Sequence, residues 1–122
     1  MSSTPDQQSI EQSLLAYKAG LGHFSEQVPE VGEAYMNFTA ACFKAGSLGE
    51  KEKHLIALGL SVQSQDETCI MYHTQAALQN GATRQDVLET VGVCAAFGGG
   101  AALSQGVTLV QSCCDAFAGD TH

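Results

Sequence analysis

Cys69 and His73 stand four residues apart, the spacing that sets two side chains on one face of a helix, one turn from each other. A thiol beside an imidazole is the smallest arrangement that can generate a nucleophile, because the ring can take the thiol proton. Asp66 reads as an N-cap, which puts Cys69 at the third helical position. Unpaired N–H groups and the helix dipole favour a thiolate there. Asp66 and Glu67 act the other way, and Asp66 competes for the same N–H, so the spacing leaves the sign of the thiol's shift open. The bland alternative is a small buried thiol near a satisfied histidine. If the thiol is activated, Cys69 should react with iodoacetamide ahead of the other four cysteines.

The elements that must position this pair follow from apolar residues recurring at helical rather than alternating spacing. Ile10, Leu14, Tyr17, Leu21 and Phe24 form a first stripe, opened by Pro5 and Asp6. Pro29 suits the first turn of a second helix carrying Val31, Tyr35, Phe38 and Cys42 and ending near Ala45 and Gly46. A third helix is expected from Gly49, with Glu50 and Glu52 at the positive end of its dipole and Leu55, Ile56, Leu58 and Val62 as its apolar set. The fourth runs from Asp66 to Asn80 and stops at Gly81. Thr83 and Asp86 resemble a capping box opening a fifth helix through Val87, Leu88, Val91 and Ala95. The glycines at 98–100 separate it from a last amphipathic stretch at 101–117. They read as a break that permits close packing, since no basic residue follows to make a phosphate loop. The expectation is an all-α fold of about six helices in a single domain over 1–122.

Composition narrows the partners. Among 122 residues the net charge is -8 and only five are Lys or Arg, which argues against nucleic acid and acidic membrane surfaces. A charged content of 15% against 44% hydrophobic leaves too little polar surface for a monomer, so burial between subunits is expected. Residues 1–9 lack the pattern of a secretory leader, and the longest apolar run is broken by glycines, so no membrane span is expected. Five cysteines without framework spacing suit reduced thiols in a cytoplasm. Cys42, Cys94, Cys113 and Cys114 read as packing residues, while His23 and His122 have no nameable partner.

Longer stretches carry a resemblance. Lys51-Glu52-Lys53-His54-Leu55-Ile56-Ala57-Leu58 and Cys69-Ile70-Met71-Tyr72-His73 are followed by Ala76-Ala77-Leu78, Gly81-Ala82-Thr83 and Ala96-Phe97-Gly98-Gly99-Gly100-Ala101-Ala102-Leu103. In order and spacing these resemble the carboxymuconolactone decarboxylase and alkylhydroperoxidase D superfamily, with a core at about 35–103. The resemblance implies a helical trimer or hexamer. In the alkylhydroperoxidase D branch it implies a C-x-x-C-x-x-x-H motif, whose second cysteine attacks peroxide and whose first resolves it as a disulfide. A glutamate on the preceding helix joins the histidine in a proton relay. The attacking cysteine falls on Cys69 and the histidine on His73; the resolving cysteine falls on Asp66 and the glutamate on His54. The decarboxylase branch keeps a histidine on this helix and needs no redox cysteine.

Three functions are therefore open. One is a thiol-dependent peroxidase or disulfide-exchange oxidoreductase, with Cys69 as nucleophile, His73 as proton acceptor, and an external thiol or dithiol as electron donor. Another is a cofactor-free decarboxylase or isomerase in which His73 and His54 move protons on a small molecule. An acidic substrate fits it poorly, because Arg84 is the only arginine. The third is a non-catalytic oligomer or a metal site using His54, Cys69, His73 and Asp66. No cofactor is expected.

Overall fold

The computed structural model describes residues 7–118. The expected opening at Pro5 and Asp6 lies outside the described residues, as does His122. Within them the chain is helical and carries no strand. The elements are α1 (Gln7–Gln27), α2 (Pro29–Phe43), α3 (Glu50–Ser64), α4 (Glu67–Gln79), α5 (Arg84–Gly98), α6 (Gly100–Gln105), a π-helical turn (Gly106–Val110) and α7 (Gln111–Ala116). Gln105, Gly106, Val110 and Gln111 all keep right-handed helical angles, so α6, the π-turn and α7 form one continuous rod. The single last helix expected over 101–117 thus contains a π-turn, and six rods result.

Local chemistry sets the ends. Asp66 caps α4, its carboxylate accepting from the Cys69 N–H at 3.1 Å. Thr83 and Asp86 complete both halves of a capping box: the Asp86 N–H donates to Thr83 Oγ1 at 3.0 Å, and the Thr83 N–H donates to Asp86 Oδ2 at 2.9 Å. Gly81 follows α4 with φ of 98°, a conformation a β-carbon would strain.

Helix α3 packs most closely against α4 and then α5, while α1 lies on α2, α7 and α4. The core between them is Ile10 and Leu14 from α1, Leu58 and Val62 from α3, Ile70 and Leu78 from α4, and Val87 and Val91 from α5. Leu109, Val110, Cys113 and Phe117 close it. Each fully buried aliphatic side chain contributes roughly 1.5–3 kcal/mol of transfer free energy. This core fixes α3 against α4 and therefore fixes the side chains that those helices carry toward α2.

Helix α2 departs from expectation. Its apolar stripe does not enter the core: Val31, Tyr35 and Phe38 are 53%, 52% and 66% exposed, Cys42 is exposed as well, and Gly32 is the one buried residue of the helix. At Gly32 the backbone of α2 meets α1 so closely that a β-carbon would stand 2.7 Å from Ser25 Cα. A second apolar face lies on α3 and α5, where Leu60, Val93 and Phe97 are 67%, 72% and 89% exposed. Apolar surface on this scale motivates the expectation of a homo-oligomer. Light scattering at micromolar concentration should report a mass above that of one chain, and a monomer would remove the claim. Among the described residues no helix is long and apolar enough to cross a membrane.

Candidate active site

His54 lies one turn into α3 and His73 two turns into α4, and the close packing of these helices brings the two rings together. Their Nδ1 atoms are 3.1 Å apart. A hydrogen bond between two neutral rings needs one Nδ1–H and one bare Nδ1, so they must hold opposite tautomers. Phe43, the last residue of α2, stacks on both: 4.4 Å between centroids and 12° from the His54 plane, 5.4 Å and 22° from that of His73. Tyr72 meets His73 edge-on at 5.1 Å.

This enclosure sets the charge state. Burial, helped by the neighbouring His54, pushes His73 down to about 4 against a weaker lift from Asp66. Burial also lowers His54, with Glu50 opposing it. Both rings are neutral at pH 7. Because the unfolded chain binds protons near pH 6.5 and folded His73 does not, stability is complete above that value and is lost as pH falls toward 4. Urea unfolding between pH 7 and pH 4 should show this slope, and His73→Gln should flatten it; an equal slope in both proteins would contradict the assignment.

Cys69 has a different partner. Burial first, then the Asp66 carboxylate beside it, pushes its thiol up to about 11. About one thiol in ten thousand is then ionised at pH 7. Among the described residues no hydrogen bond joins Cys69 to His73. Moving a proton from a thiol held above its ordinary range to an imidazole held below its own is strongly uphill. The sign left open by the spacing is therefore upward: carboxylate and burial outweigh the helix start.

Cys69, His54 and His73 nevertheless open onto one pocket of about 270 Å³ between α1, α2, α3 and α4. Phe43, Tyr17, Tyr35 and Tyr72 are among its walls, and no Lys, Arg, Asp or Glu is among the described residues lining it. Lys18 stands near, over the Tyr72 ring at 5.7 Å, and its ammonium donates to Gln75 at 3.2 Å. Phe43, Tyr17 and Tyr35 were not singled out as site residues by spacing, because they come from other helices than the Cys69–His73 pair. The one signal was an apolar residue closing α2 just before the loop.

The remaining candidates fall elsewhere. Cys113 and Cys114 are buried, Cys113 being pushed up to about 12 by burial, and the Cys94 thiol donates to the Gly59 carbonyl at 3.3 Å. Cys42, expected as a packing residue, is exposed because α2 turns its stripe outward. His23 faces Glu26 at 3.6 Å on the surface of α1. Among the described residues no group of three His, Cys, Asp or Glu side chains is placed to hold a metal ion.

The sequence pattern of the carboxymuconolactone decarboxylase family matches residues 29–112. A protein of unassigned function from Cupriavidus necator is 33% identical over 65% of this chain and 70% of its own length. A Paracoccus denitrificans protein from the cox locus is 31% identical over 69% of this chain and 76% of its own. The crystal structure of a carboxymuconolactone decarboxylase family protein from Legionella pneumophila superposes with a TM-score of 0.81 at 29% identity, covering 93% of this chain and 97% of that one. A Burkholderia xenovorans protein described as a carboxymuconolactone decarboxylase gives 0.70 at 22% identity, covering 93% and 92%, and speaks for the fold alone.

Proposed function

The chain belongs to the carboxymuconolactone decarboxylase family, and we propose that it is a cofactor-free acid–base enzyme in which His54 and His73 move protons on a small neutral molecule. The observation that supports this reading is the pair of imidazoles 3.1 Å apart on the wall of a pocket whose other lining is aromatic, aliphatic, hydroxyl and thiol side chains. Two neutral rings offer both an acceptor and a donor at neutral pH, the requirement for general acid–base work. The family name refers to a lactone carboxylic acid. Such an acid would bring a carboxylate into a pocket with no cation among its described lining residues, and removing that charge from water without a partner is costly. A neutral substrate of the same size meets no such penalty. The test is proton-shift activity on cyclohex-3-en-1-one, followed as conversion to the conjugated ketone by ultraviolet absorbance. The wild-type protein should catalyse it, and the variant carrying both His54→Gln and His73→Gln should not; equal rates in the two would sink the reading.

A second reading is favoured by the place of Cys69 in the same pocket. As a thiol peroxidase, the chain would use Cys69 to attack a hydroperoxide and an external thiol or dithiol to reduce the resulting sulfenic acid. Burial and the Asp66 carboxylate make the resting thiol a poor nucleophile, so turnover in this reading is slow. In both readings the working protein is a homo-oligomer acting on a small molecule.

A further inference from the structure

The geometry points to His54 and His73 acting as one neutral proton shuttle, which takes a proton from one atom of a bound molecule while delivering another. The substrate class that this serves is a neutral, enolisable carbonyl compound. The inference rests on the acid–base reading above and specifies its chemistry.

A single base in this pocket would have to become an imidazolium under the face of Phe43, with another imidazole 3.1 Å away and no carboxylate lining the cavity among the described residues. Burial opposes charge there more strongly than Asp66 favours it at His73 or Glu50 at His54. The paired rings avoid that charge. The ring whose Nδ1 carries the proton has a bare Nε2, and its neighbour, with a bare Nδ1, carries Nε2–H. When the bare Nε2 takes a proton from the carbon beside a carbonyl, the Nδ1–H crosses to the other ring. The Nε2–H of that ring then passes to the carbonyl oxygen. One C–H bond breaks, one O–H bond forms, and the electron pair becomes the C=C of an enol. Both rings stay neutral, with their tautomers exchanged.

Reversal completes the cycle. Where the enol is conjugated to a second double bond, the ring now carrying the abstracted proton gives it to the far carbon. Its partner takes the enol O–H, and the Nδ1 proton crosses back. The net change is migration of a double bond with the original tautomers restored. No oxidant, reductant or cofactor enters. A histidine beside a glutamate would instead carry a negative charge through the cycle, because a carboxylate begins as an anion. Having histidine at position 54 is what makes the pair neutral.

Nitrogen NMR on histidine-labelled protein at pH 7 tests the pairing without any substrate. A scalar coupling between the two Nδ1 nuclei is expected, with one Nδ1 protonated and the other bare, or with both at intermediate shifts if the tautomers exchange rapidly. Two Nε2–H tautomers without coupling, or a charged ring, would overturn the shuttle. Kinetics on cyclohex-3-en-1-one supply the second arm. His54→Gln and His73→Gln should each lower kcat by a similar factor, and the double variant should be no slower than either, because the rings work as a unit. Multiplying effects would overturn the shuttle and leave the acid–base reading standing. Absence of isomerisation by the wild-type protein would instead sink the acid–base reading, and with it the use proposed for the pair.

Discussion

His73→Gln is expected to lower kcat for isomerisation of cyclohex-3-en-1-one by about 10²- to 10⁴-fold, the range over which a positioned acid or base contributes. The substitution is chosen to leave the surroundings in place. Glutamine approximates the volume of the ring, keeps an amide that can bond to His54, and preserves helix α4, where its propensity is at least that of histidine. It cannot take up one proton and release another at neutral pH. KM should change little, because the variant retains the rest of the pocket wall, including Phe43, Tyr17, Tyr35 and Tyr72. Circular dichroism and the thermal midpoint provide the control for folding. A kcat within tenfold of wild type in a folded variant would remove His73 from the chemistry.

The parts of this fold that were legible beforehand are those written in local code. Asp66 could be named as a cap, Thr83 with Asp86 as a box and Gly81 as a stop, because each acts on backbone groups within a few residues. The position of α2 could not be read the same way. Its stripe at Val31, Tyr35, Phe38 and Cys42 has the period of a core-facing helix, and periodicity does not distinguish a core from a face that another molecule covers. The buried residue of the helix is instead Gly32, where α2 meets Ser25 of another helix. The π-turn at Gly106–Val110 likewise leaves no local signature in the sequence.

The candidate site divides along the same line. Cys69 and His73 share a helix face by spacing, yet a shared face does not make them partners. His73 meets a side chain from α3, and Cys69 meets the cap of its own helix. Both bonds were within reach of the sequence only as separate facts: Asp66 as a cap, and His54 as a polar residue in an apolar run. Their combination changes the chemistry. The carboxylate that caps the helix through the Cys69 N–H also opposes a thiolate, and burial holds His73 so far below its ordinary range that it is a weak acceptor for the thiol proton. Phe43 then encloses both rings from a third helix.

Removing the charge at position 66 should therefore release Cys69. In Asp66→Asn the cap survives, since asparagine serves an N-cap about as well as aspartate. What is lost is the negative charge that opposes a thiolate. Burial, the largest cause of the shift, remains, so the thiol should fall only part of the way from about 11 toward its ordinary range. Each unit of that fall raises the thiolate fraction at pH 7 about tenfold. Mass spectrometry of iodoacetamide-treated wild type should find exposed Cys42 labelled before Cys69. In Asp66→Asn the rate at Cys69 should rise about tenfold or more, while the buried Cys113 and Cys114 stay unlabelled. An unchanged rate at Cys69 would mean that Asp66 does not restrain it. Asp66→Cys separates this effect from the redox reading. It too removes the carboxylate, and it adds a thiol that can attack a Cys69 sulfenic acid, expel water and close a disulfide for a dithiol to reduce. Peroxide consumption under one dithiol supply should then rank Asp66→Cys above Asp66→Asn, and Asp66→Asn above wild type. Should Asp66→Cys form the disulfide and consume peroxide no faster than Asp66→Asn, the thiol peroxidase reading falls and the paired histidines remain as the chemistry of the pocket.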